Sequence, residues 1–406
     1  MVETRAGTAL KVLSVIIPAY NEEDGIAAIV ERVLAVRPAL VEAGVGDLEL
    51  IVVDDGSADR TAEMAGRPGV RVVRHPANKG YGAALKTGFN AARGDLLAFL
   101  DADGTYPPEC FPDLCREALA GADLVVGSRR SGAASEMPLV RRVGNLLWSN
   151  LVTLLGNHRV VDPASGMRVF RREALERLYP LPDGLNFTPV MSTRAVHEHV
   201  RVVEVPIPYK ERVGRSKLSV VHDGMRFLHT IITTALSYNP VRLLGGAGVG
   251  LVALAGLIAA VLVGMRAAGI AELGPWGVAS TFAAVVLGVI GVDLFALGAT
   301  FNYLVTLFHK RPVRQGLFGR PIFHTPLDRH FWWMGGLTVV AGLIFGAVSL
   351  VLGLRGWPIE RLWLYLLAGT MLVLVGIQLA VFWVIMRVLE ELSQREALVK
   401  ADMECA

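Results

Sequence analysis

At 406 residues the chain has room for two or three domains, and a mean hydropathy of +0.47 with 53% hydrophobic residues is too apolar for a wholly soluble protein. A formal charge of +3, with no basic run interleaved with aromatics, excludes nucleic acid as a partner. Three cysteines, Cys110, Cys115 and Cys405, are too few for a disulfide framework and lack the His/Cys partners of a zinc site. The apolar excess is uneven: residues 1–230 have a globular composition, whereas 240–390 are dominated by Leu, Val, Ala and Gly. A soluble head on a membrane foot is the expectation. The first apolar run, Val12 to Pro18, is short, contains Ser14 and breaks at a proline, so it does not read as a secretory signal, and the head is expected to stay in the cytoplasm.

Taken in order, Lys11 to Pro18 is a β-branched strand, followed by the polar Tyr20, Asn21, Glu22 and Glu23 and an amphipathic helix to about Val36. Leu48 to Val53 is a second strand, running into Asp54-Asp55-Gly56-Ser57, where Ser57 or Asp59 can cap the next helix. A third strand, Val70 to Val73, precedes His75-Pro76-Ala77-Asn78-Lys79-Gly80-Tyr81-Gly82 and a helix to about Ala92. A fourth, Leu96 to Leu100, delivers Asp101 and Asp103 to a sheet edge, where Gly104, Pro107 and Pro108 stop regular structure. The fifth, Ala122 to Val126, ends in Gly127-Ser128-Arg129-Arg130. Strands alternating with helices at this spacing predict an α/β, Rossmann-like, doubly wound parallel sheet.

In such a sheet the loops at the carboxyl ends of the strands form the ligand crevice. That rim collects Tyr20, Glu22, Asp54, Asp55, Lys79, Asp101, Asp103 and Arg129. Two acids spaced i, i+2 after a buried strand repel each other unless a cation sits between them and an anionic ligand, and a divalent metal holding a diphosphate answers that need. A solvated turn is the alternative for an Asp-x-Asp taken alone. No G-x-G-x-x-G follows the first strand and no Walker sequence occurs, which disfavours dinucleotide oxidoreductases and P-loop enzymes. The run Gly245-Gly246-Ala247-Gly248-Val249-Gly250 lies inside a predicted span, where close helix packing through Gly246 and Gly250 is the expected role.

Together and in this order, Ser14-Val15-Ile16-Ile17-Pro18-Ala19-Tyr20-Asn21-Glu22, Val52-Val53-Asp54-Asp55-Gly56-Ser57, Asn78-Lys79-Gly80, Asp101-Ala102-Asp103-Gly104 and Asp162-Pro163-Ala164-Ser165-Gly166-Met167-Arg168 resemble a family-2 glycosyltransferase. The branch they resemble contains dolichyl-phosphate mannose synthase and the bacterial polyprenyl-phosphate glycosyltransferases. The resemblance implies a GT-A type head over residues 1–219, with Pro18, Tyr20, Glu22, Asp54, Asp55, Lys79, Asp101, Ala102 and Asp103 around the nucleotide donor. Asp101 and Asp103 are then the ligands of Mg²⁺ or Mn²⁺. The branch often has a glutamine where this chain has Thr105, so the resemblance leaves the sugar open, with mannose and glucose favoured.

The same resemblance places the acceptor phosphate at Arg129, Arg141, Arg142 and Asn145, the last standing where the branch often has serine. Guanidinium groups suit that task because they bind phosphate bidentately. Asp103, Asp162 and Arg129 are the implied catalytic residues; for Asp162, a role in orienting the sugar or metal fits as well, because a phosphate acceptor is already anionic and needs no strong base. The segment Pro206 to Ser219 looks like the family's loop over the donor, with Arg212 and Lys217 as phosphate contacts.

Beyond the head, 220–239 predicts an interfacial amphipathic helix with Val221, Met225, Leu228, Ile231 and Ile232 on one face. The transmembrane domain, 240–390, is expected to hold four spans near 241–264, 276–301, 332–354 and 361–387, followed by a cytoplasmic tail, 391–406. Lys310, Arg311, Arg314, Arg320 and Arg329 make the connection between the second and third spans strongly basic, and hence cytoplasmic. Asp293 is the one acid well inside a span.

The reading is a metal-dependent, inverting enzyme of the cytoplasmic (inner) membrane, compatible with a homo-oligomer. It moves one hexose from a GDP- or UDP-linked donor to a polyprenyl phosphate lipid. The rivals are a processive polysaccharide synthase, disfavoured by the lack of a Gln-x-x-Arg-Trp type sequence, and a non-catalytic scaffold or lipid-translocating partner.

Overall fold

A computed structural model describes residues 11–130, 139–155, 159–198, 200–209, 220–270, 274–309 and 327–404. The chain divides into two compact units, Met1–Thr234 and Ala235–Ala406. The division falls inside the predicted amphipathic helix rather than at its start.

The first unit begins with β1 (Lys11–Ala19), α1 (Ile26–Ala35), α2 (Arg37–Glu42), β2 (Val45–Asp54), α3 (Thr61–Ala65), β3 (Val70–Arg74), α4 (Tyr81–Ala91) and β4 (Leu96–Phe99). It continues through α5 (Phe111–Leu119), β5 (Leu124–Ser128), α6 (Leu139–Leu155), β6 (Arg168–Arg171), α7 (Arg172–Leu178), α8 (Phe187–His197), β7 (Val202–Pro206) and α9 (Val220–Tyr238). The strands form one seven-stranded sheet in the order β3-β2-β1-β4-β6-β5-β7. Alternate residues of β1 feed two cores: Val15 and Ile17 pack with α1, α2 and α5, whereas Ile16 packs with α4 and α8 around Phe89, Phe99, Phe170 and Phe187. Burial on both faces explains why β1 and β2 read as continuous apolar runs rather than alternating ones.

The sheet is mixed, which corrects the all-parallel expectation. β1 runs parallel to β2 and β4, but β6 lies antiparallel between β4 and β5. Asp162 and the turn after it stay at the rim where β5 ended, so a strand starting there must run back down the sheet. β6 and β7 escaped the sequence reading: Arg-Val-Phe-Arg is too short for a period, and β7 is only half buried.

The second unit contains α10 (Gly246–Ala267), entered through a π-turn at Val241–Gly245, then α11 (Pro275–His309), α12 (Phe331–Leu354) and α13 (Ile359–Glu404). Four segments are long and apolar enough to cross a membrane: Val241–Ala267, Pro275–Val305, Leu327–Leu354 and Leu362–Leu392. They match the expected spans, each extending a few residues further. The glycine expectation needs correction. A Cβ at Gly248 would lie 2.5 Å from the Gly291 carbonyl of α11, while one at Gly250 would meet nothing within 4 Å, so Gly248 makes the close approach. Inside the bundle, Gln378 Nε2 donates to Asp293 Oδ2 at 3.0 Å, which gives that acid a partner on α13.

Candidate active site

The carboxyl ends of β1, β2 and β4 and the turn before β6 place the predicted donor residues along one rim. At the end of β1, Pro18 is buried and Tyr20 is 39% exposed. The loop after it is laced to the second rim segment. Asn21 N donates to Ser57 Oγ at 3.0 Å, Glu22 N to Thr61 Oγ1 at 2.9 Å, and Ala58 N to Asn21 Oδ1 at 2.9 Å. Asp59 accepts from Thr61 N at 3.0 Å, but the N-cap of α3 is Arg60, so neither Ser57 nor Asp59 takes the capping position expected.

Asp54 and Asp55 do different work. Asp54 is fully buried and accepts from Ser57 N at 3.0 Å; Arg74 Nε stands 3.1 Å from its Oδ2 without hydrogen-bond geometry. Asp55 holds the Lys79 loop: its Oδ1 accepts from Lys79 N at 2.9 Å, its Oδ2 from Gly80 N at 2.8 Å. His75, buried behind it, lies 2.6 Å from Oδ1 through Nδ1 and 2.9 Å from Thr87 Oγ1 through Nε2. Gly56, at φ +75°, lets this loop press on the next one; a Cβ there would stand 2.6 Å from the Ala77 carbonyl carbon. The Lys79 side chain itself is exposed at the rim.

Asp101 and Asp103 lie just beyond β4, both partly exposed, with Ala102 buried between them. Asp103 Oδ1 accepts from Thr105 N at 3.2 Å and Thr105 Oγ1 at 2.6 Å. Thr105 therefore orients this acid. Tyr81 Oη donates to Asp101 Oδ1 at 2.7 Å, and a Cβ at Gly166 would fall 2.2 Å from Asp101 Oδ2. Only glycine permits the backbone before β6 to lie this close to the carboxylate. Among the described residues no group of three or more His, Cys, Asp or Glu gathers as a metal site. The pair fits a Mg²⁺ or Mn²⁺ that takes its remaining ligands from a diphosphate and water, the usual manner of binding for Mg²⁺.

The other predicted cluster forms around Asp162, which is fully buried. Arg129 grips it twice, Nε to Oδ2 at 2.7 Å and Nη2 to Oδ1 at 2.6 Å, while Arg129 N donates to Oδ2 at 3.0 Å. Asn145 Nδ2, from α6, donates to Oδ1 at 3.0 Å. Burial opposes the Asp162 charge, but Arg129 and these hydrogen bonds outweigh it and hold its pKa below the usual carboxylate value. Burial likewise opposes the Arg129 charge, and Asp162 outweighs it, keeping that pKa raised. The guanidinium lies 5.9 Å from the Tyr106 ring centroid and 5.5 Å from that of Tyr209, within cation–π range of both. So the Arg129 fork is turned onto a carboxylate, and Asn145 points to the same acid. Glu204 Oε1 secures the backbone beneath, accepting from Val161 N at 2.6 Å and Asp162 N at 3.3 Å; burial pushes its pKa up.

Tyr106 links the two clusters, since its hydroxyl accepts from Gly166 N at 2.7 Å while its ring faces Arg129. Arg168 clamps the intervening turn: Nη2 donates to the Pro163 carbonyl at 2.7 Å and Ser192 Oγ at 2.9 Å, and Nε to the Ser165 carbonyl at 3.1 Å. Complete burial lowers its pKa to about 10. Sequence reasoning missed Tyr81, His75, Tyr106 and the anchoring by Arg168. Tyr81, His75 and Tyr106 bond partners distant in the chain, and a single aromatic, histidine or arginine carries no local pattern.

Arg142 is exposed on α6, beside the exposed Val143, Leu146 and Leu147. The Arg141 side chain, and the whole of Arg212 and Lys217, lie outside the described residues.

A mixed α/β sheet with an Asp-x-Asp pair at its carboxyl-end rim defines a nucleotide-sugar glycosyltransferase head of the GT-A kind. Residues 14–179 match the glycosyl transferase family 2 domain, and residues 240–400 match a domain of unknown function, DUF8752. The chain is 31% identical over 319 residues to undecaprenyl-phosphate 4-deoxy-4-formamido-L-arabinose transferase of Photorhabdus laumondii, covering 76% of this chain and 93% of that protein. It belongs to glycosyl transferase family 2. It is also 31% identical to the dolichyl-phosphate hexose transferase of Haloferax volcanii, over 55% of this chain and 94% of that one. With the low-salt glycan biosynthesis hexosyltransferase Agl6 of the same organism it shares 36% identity over 56% of this chain, spanning 54% of that relative's length. Among solved structures, glucosyl-3-phosphoglycerate synthase of Mycobacterium tuberculosis, crystallised with Mn²⁺, UDP and glucosyl-3-phosphoglycerate, matches with a TM-score of 0.46 and 24% identity, covering 58% of this chain and 86% of that one.

Proposed function

We infer that this protein transfers one hexose from a GDP- or UDP-linked sugar to a polyprenyl phosphate at the cytoplasmic membrane, with inversion at the anomeric carbon. The observation that carries this reading is the Asp101–Asp103 pair at the rim, on a chain that also has four apolar helices of spanning length. The names of the P. laumondii and H. volcanii relatives, both acting on polyprenyl-type phosphates, support the acceptor class.

In the proposed step a lipid phosphate oxygen attacks the anomeric carbon while the bond from that carbon to the nucleoside diphosphate breaks, and the diphosphate leaves with the electron pair. A Mg²⁺ or Mn²⁺ held by Asp101 and Asp103 would supply charge neutralisation for the departing diphosphate. Tyr20, Glu22, Asp54 and Lys79 stand along the rim where the nucleotide would lie. Arg129 and Asn145 belong to the acceptor side through Asp162, which keeps the guanidinium oriented and its charge balanced before the lipid arrives. Carboxylate chemistry favours an anchoring role for Asp162: four N–H donors from Arg129 and Asn145 and a lowered pKa make it a poor base, and an anionic acceptor needs none.

The test is an assay of the purified full chain with radiolabelled GDP- and UDP-sugars and polyprenyl phosphate. Label should enter the lipid fraction only when a divalent cation is present, and Asp103→Asn should abolish transfer while the protein stays folded. Transfer in excess EDTA would remove the metal from the reading, and label entering a growing polysaccharide instead of lipid would favour the processive alternative.

A further inference from the structure

We propose that Tyr81 is a positioning residue for divalent-cation binding, its half-buried phenol fixing the Asp101 carboxylate in the orientation the cation requires. The inference rests on the reading of Asp101 as a metal ligand and names a residue outside the recognised motif.

The chain on both sides of the phenol is held. Lys79 N and Gly80 N are tied to Asp55, which is backed by His75 and Thr87, so the chain entering Tyr81 is fixed. The first turn of α4 is bonded to the opposite loop, with Gly82 N and Ala83 N both donating to the Asp183 carbonyl, at 2.7 and 3.1 Å. Neither glycine there tolerates a side chain: a Cβ at Gly80 would lie 2.5 Å from the Asp183 carbonyl oxygen, and one at Gly82 would lie 2.1 Å from that of Pro182. The Tyr81 ring meets Phe187 edge-on, with centroids 6.4 Å apart. Its hydroxyl then reaches Asp101 Oδ1 at 2.7 Å.

Across the carboxylate, the Gly166 backbone closes on Oδ2, itself held by the Tyr106 hydroxyl and by the Arg168 clamp on Pro163 and Ser165. Asp101 is thus gripped on one oxygen by a phenol and bounded on the other by backbone, while Asp103 accepts from the nearby Thr105. Groups that hydrogen-bond a ligating carboxylate fix its angle and tune its basicity, and their removal costs metal affinity or activity.

The experiment is a Mn²⁺ titration of the full chain, read by the electron paramagnetic resonance of free Mn²⁺, with GDP and with UDP in separate series. Tyr81→Phe keeps the ring and removes the donor. It should weaken Mn²⁺ binding by about tenfold or more, and its transfer rate should recover as Mn²⁺ is raised. A purely structural role would lower the melting temperature and leave the Mn²⁺ affinity of the folded fraction unchanged, which overturns the proposal. If wild type binds Mn²⁺, Asp103→Asn does not, and Tyr81→Phe binds like wild type, the Tyr81 assignment falls and the metal reading stands. Wild type that binds no Mn²⁺ with either nucleotide brings both down. Should Tyr81→Phe not fold, 3-fluorotyrosine at position 81 replaces it: its ¹⁹F resonance should move when Mg²⁺ and nucleotide saturate the site, and an unmoved resonance overturns the proposal.

Discussion

Arg129 and Asp162 show how far a residue's type predicts its use. An arginine straight after a buried strand invites a phosphate, yet here its fork already closes on a carboxylate with no exposure to water. Removing one member of such a pair strands the other, at a cost of about 3 to 5 kcal/mol. Arg129→Ala should therefore destabilise the head on that scale before any effect on lipid use is read, and Arg129→Lys should restore part of the loss by supplying charge without the two-pronged geometry. The pH dependence follows from the sign of the Asp162 shift. With its folded pKa lowered, the group stabilises the fold above its ordinary value near about 4, and that contribution is lost as pH falls through the folded pKa. Without the Arg129 guanidinium, burial, the largest influence on this group, is opposed only by the Asn145 amide and the residue-129 backbone N–H, so the pKa rises and stability is lost as pH rises through it. Melting curves should show Arg129→Ala nearer to wild type at pH 5 than at pH 7.5; an equal gap at both values would mean that Asp162 carries no such charge. That Asp55, Asp101 and Asp103 stand beyond strand ends was legible because each follows a contiguous apolar run. Tyr81 was not, because it acts on a partner 20 residues away, nor was Arg168, whose clamp joins its own turn to Thr188 and Ser192 on a distant helix.

At the scale of elements, the strands that follow a helix and run into a loop motif were legible, since β-branched runs ending in acids leave little choice. β6 was not. Its direction is set by where the Asp162 turn leaves the chain, a matter of topology, and its four residues carry no period. The membrane helices were legible from length and hydropathy, but which glycines pack was not, because every helical glycine reads alike until a neighbour is placed against it. Gly248 and Gly291 approach each other reciprocally: a Cβ at Gly291 would lie 2.8 Å from the Gly248 carbonyl. Gly248→Val should force α10 and α11 apart and lower stability in detergent by about 1 to 3 kcal/mol, the usual penalty of overpacking. Gly250→Val, facing open space, should melt like wild type. Equal losses at the two positions would mean that valine acts through helix propensity rather than through packing.

For the whole molecule the question is which side of the membrane each connection occupies. The arrangement of the second unit narrows it. A Cβ at Gly298, late in α11, would stand 3.1 Å from Gly245 N, so α10 begins beside the region where α11 ends. Asp328, at the entry to α12, accepts from Tyr303 at 2.7 Å and from Arg387 at 2.5 Å, and Arg329 donates to Glu390 at 3.2 Å. The end of α11, the start of α12 and the polar part of α13 therefore share one end of the bundle. The sequence that joins the end of α11 to the start of α12 contains Lys310, Arg311, Arg314, Arg320 and Arg329, and positive connections stay on the cytoplasmic side. The prediction is that trypsin added outside sealed, cytoplasm-in vesicles spares both 309–330 and the segment after Leu392, and cuts both once detergent is added. Immunoblots with tags at each terminus read the fragments. Protection of one region with cleavage of the other would contradict the shared end seen around Asp328 and Arg387. Cleavage of both from outside would keep that shared end and reverse the orientation, overruling the charge argument.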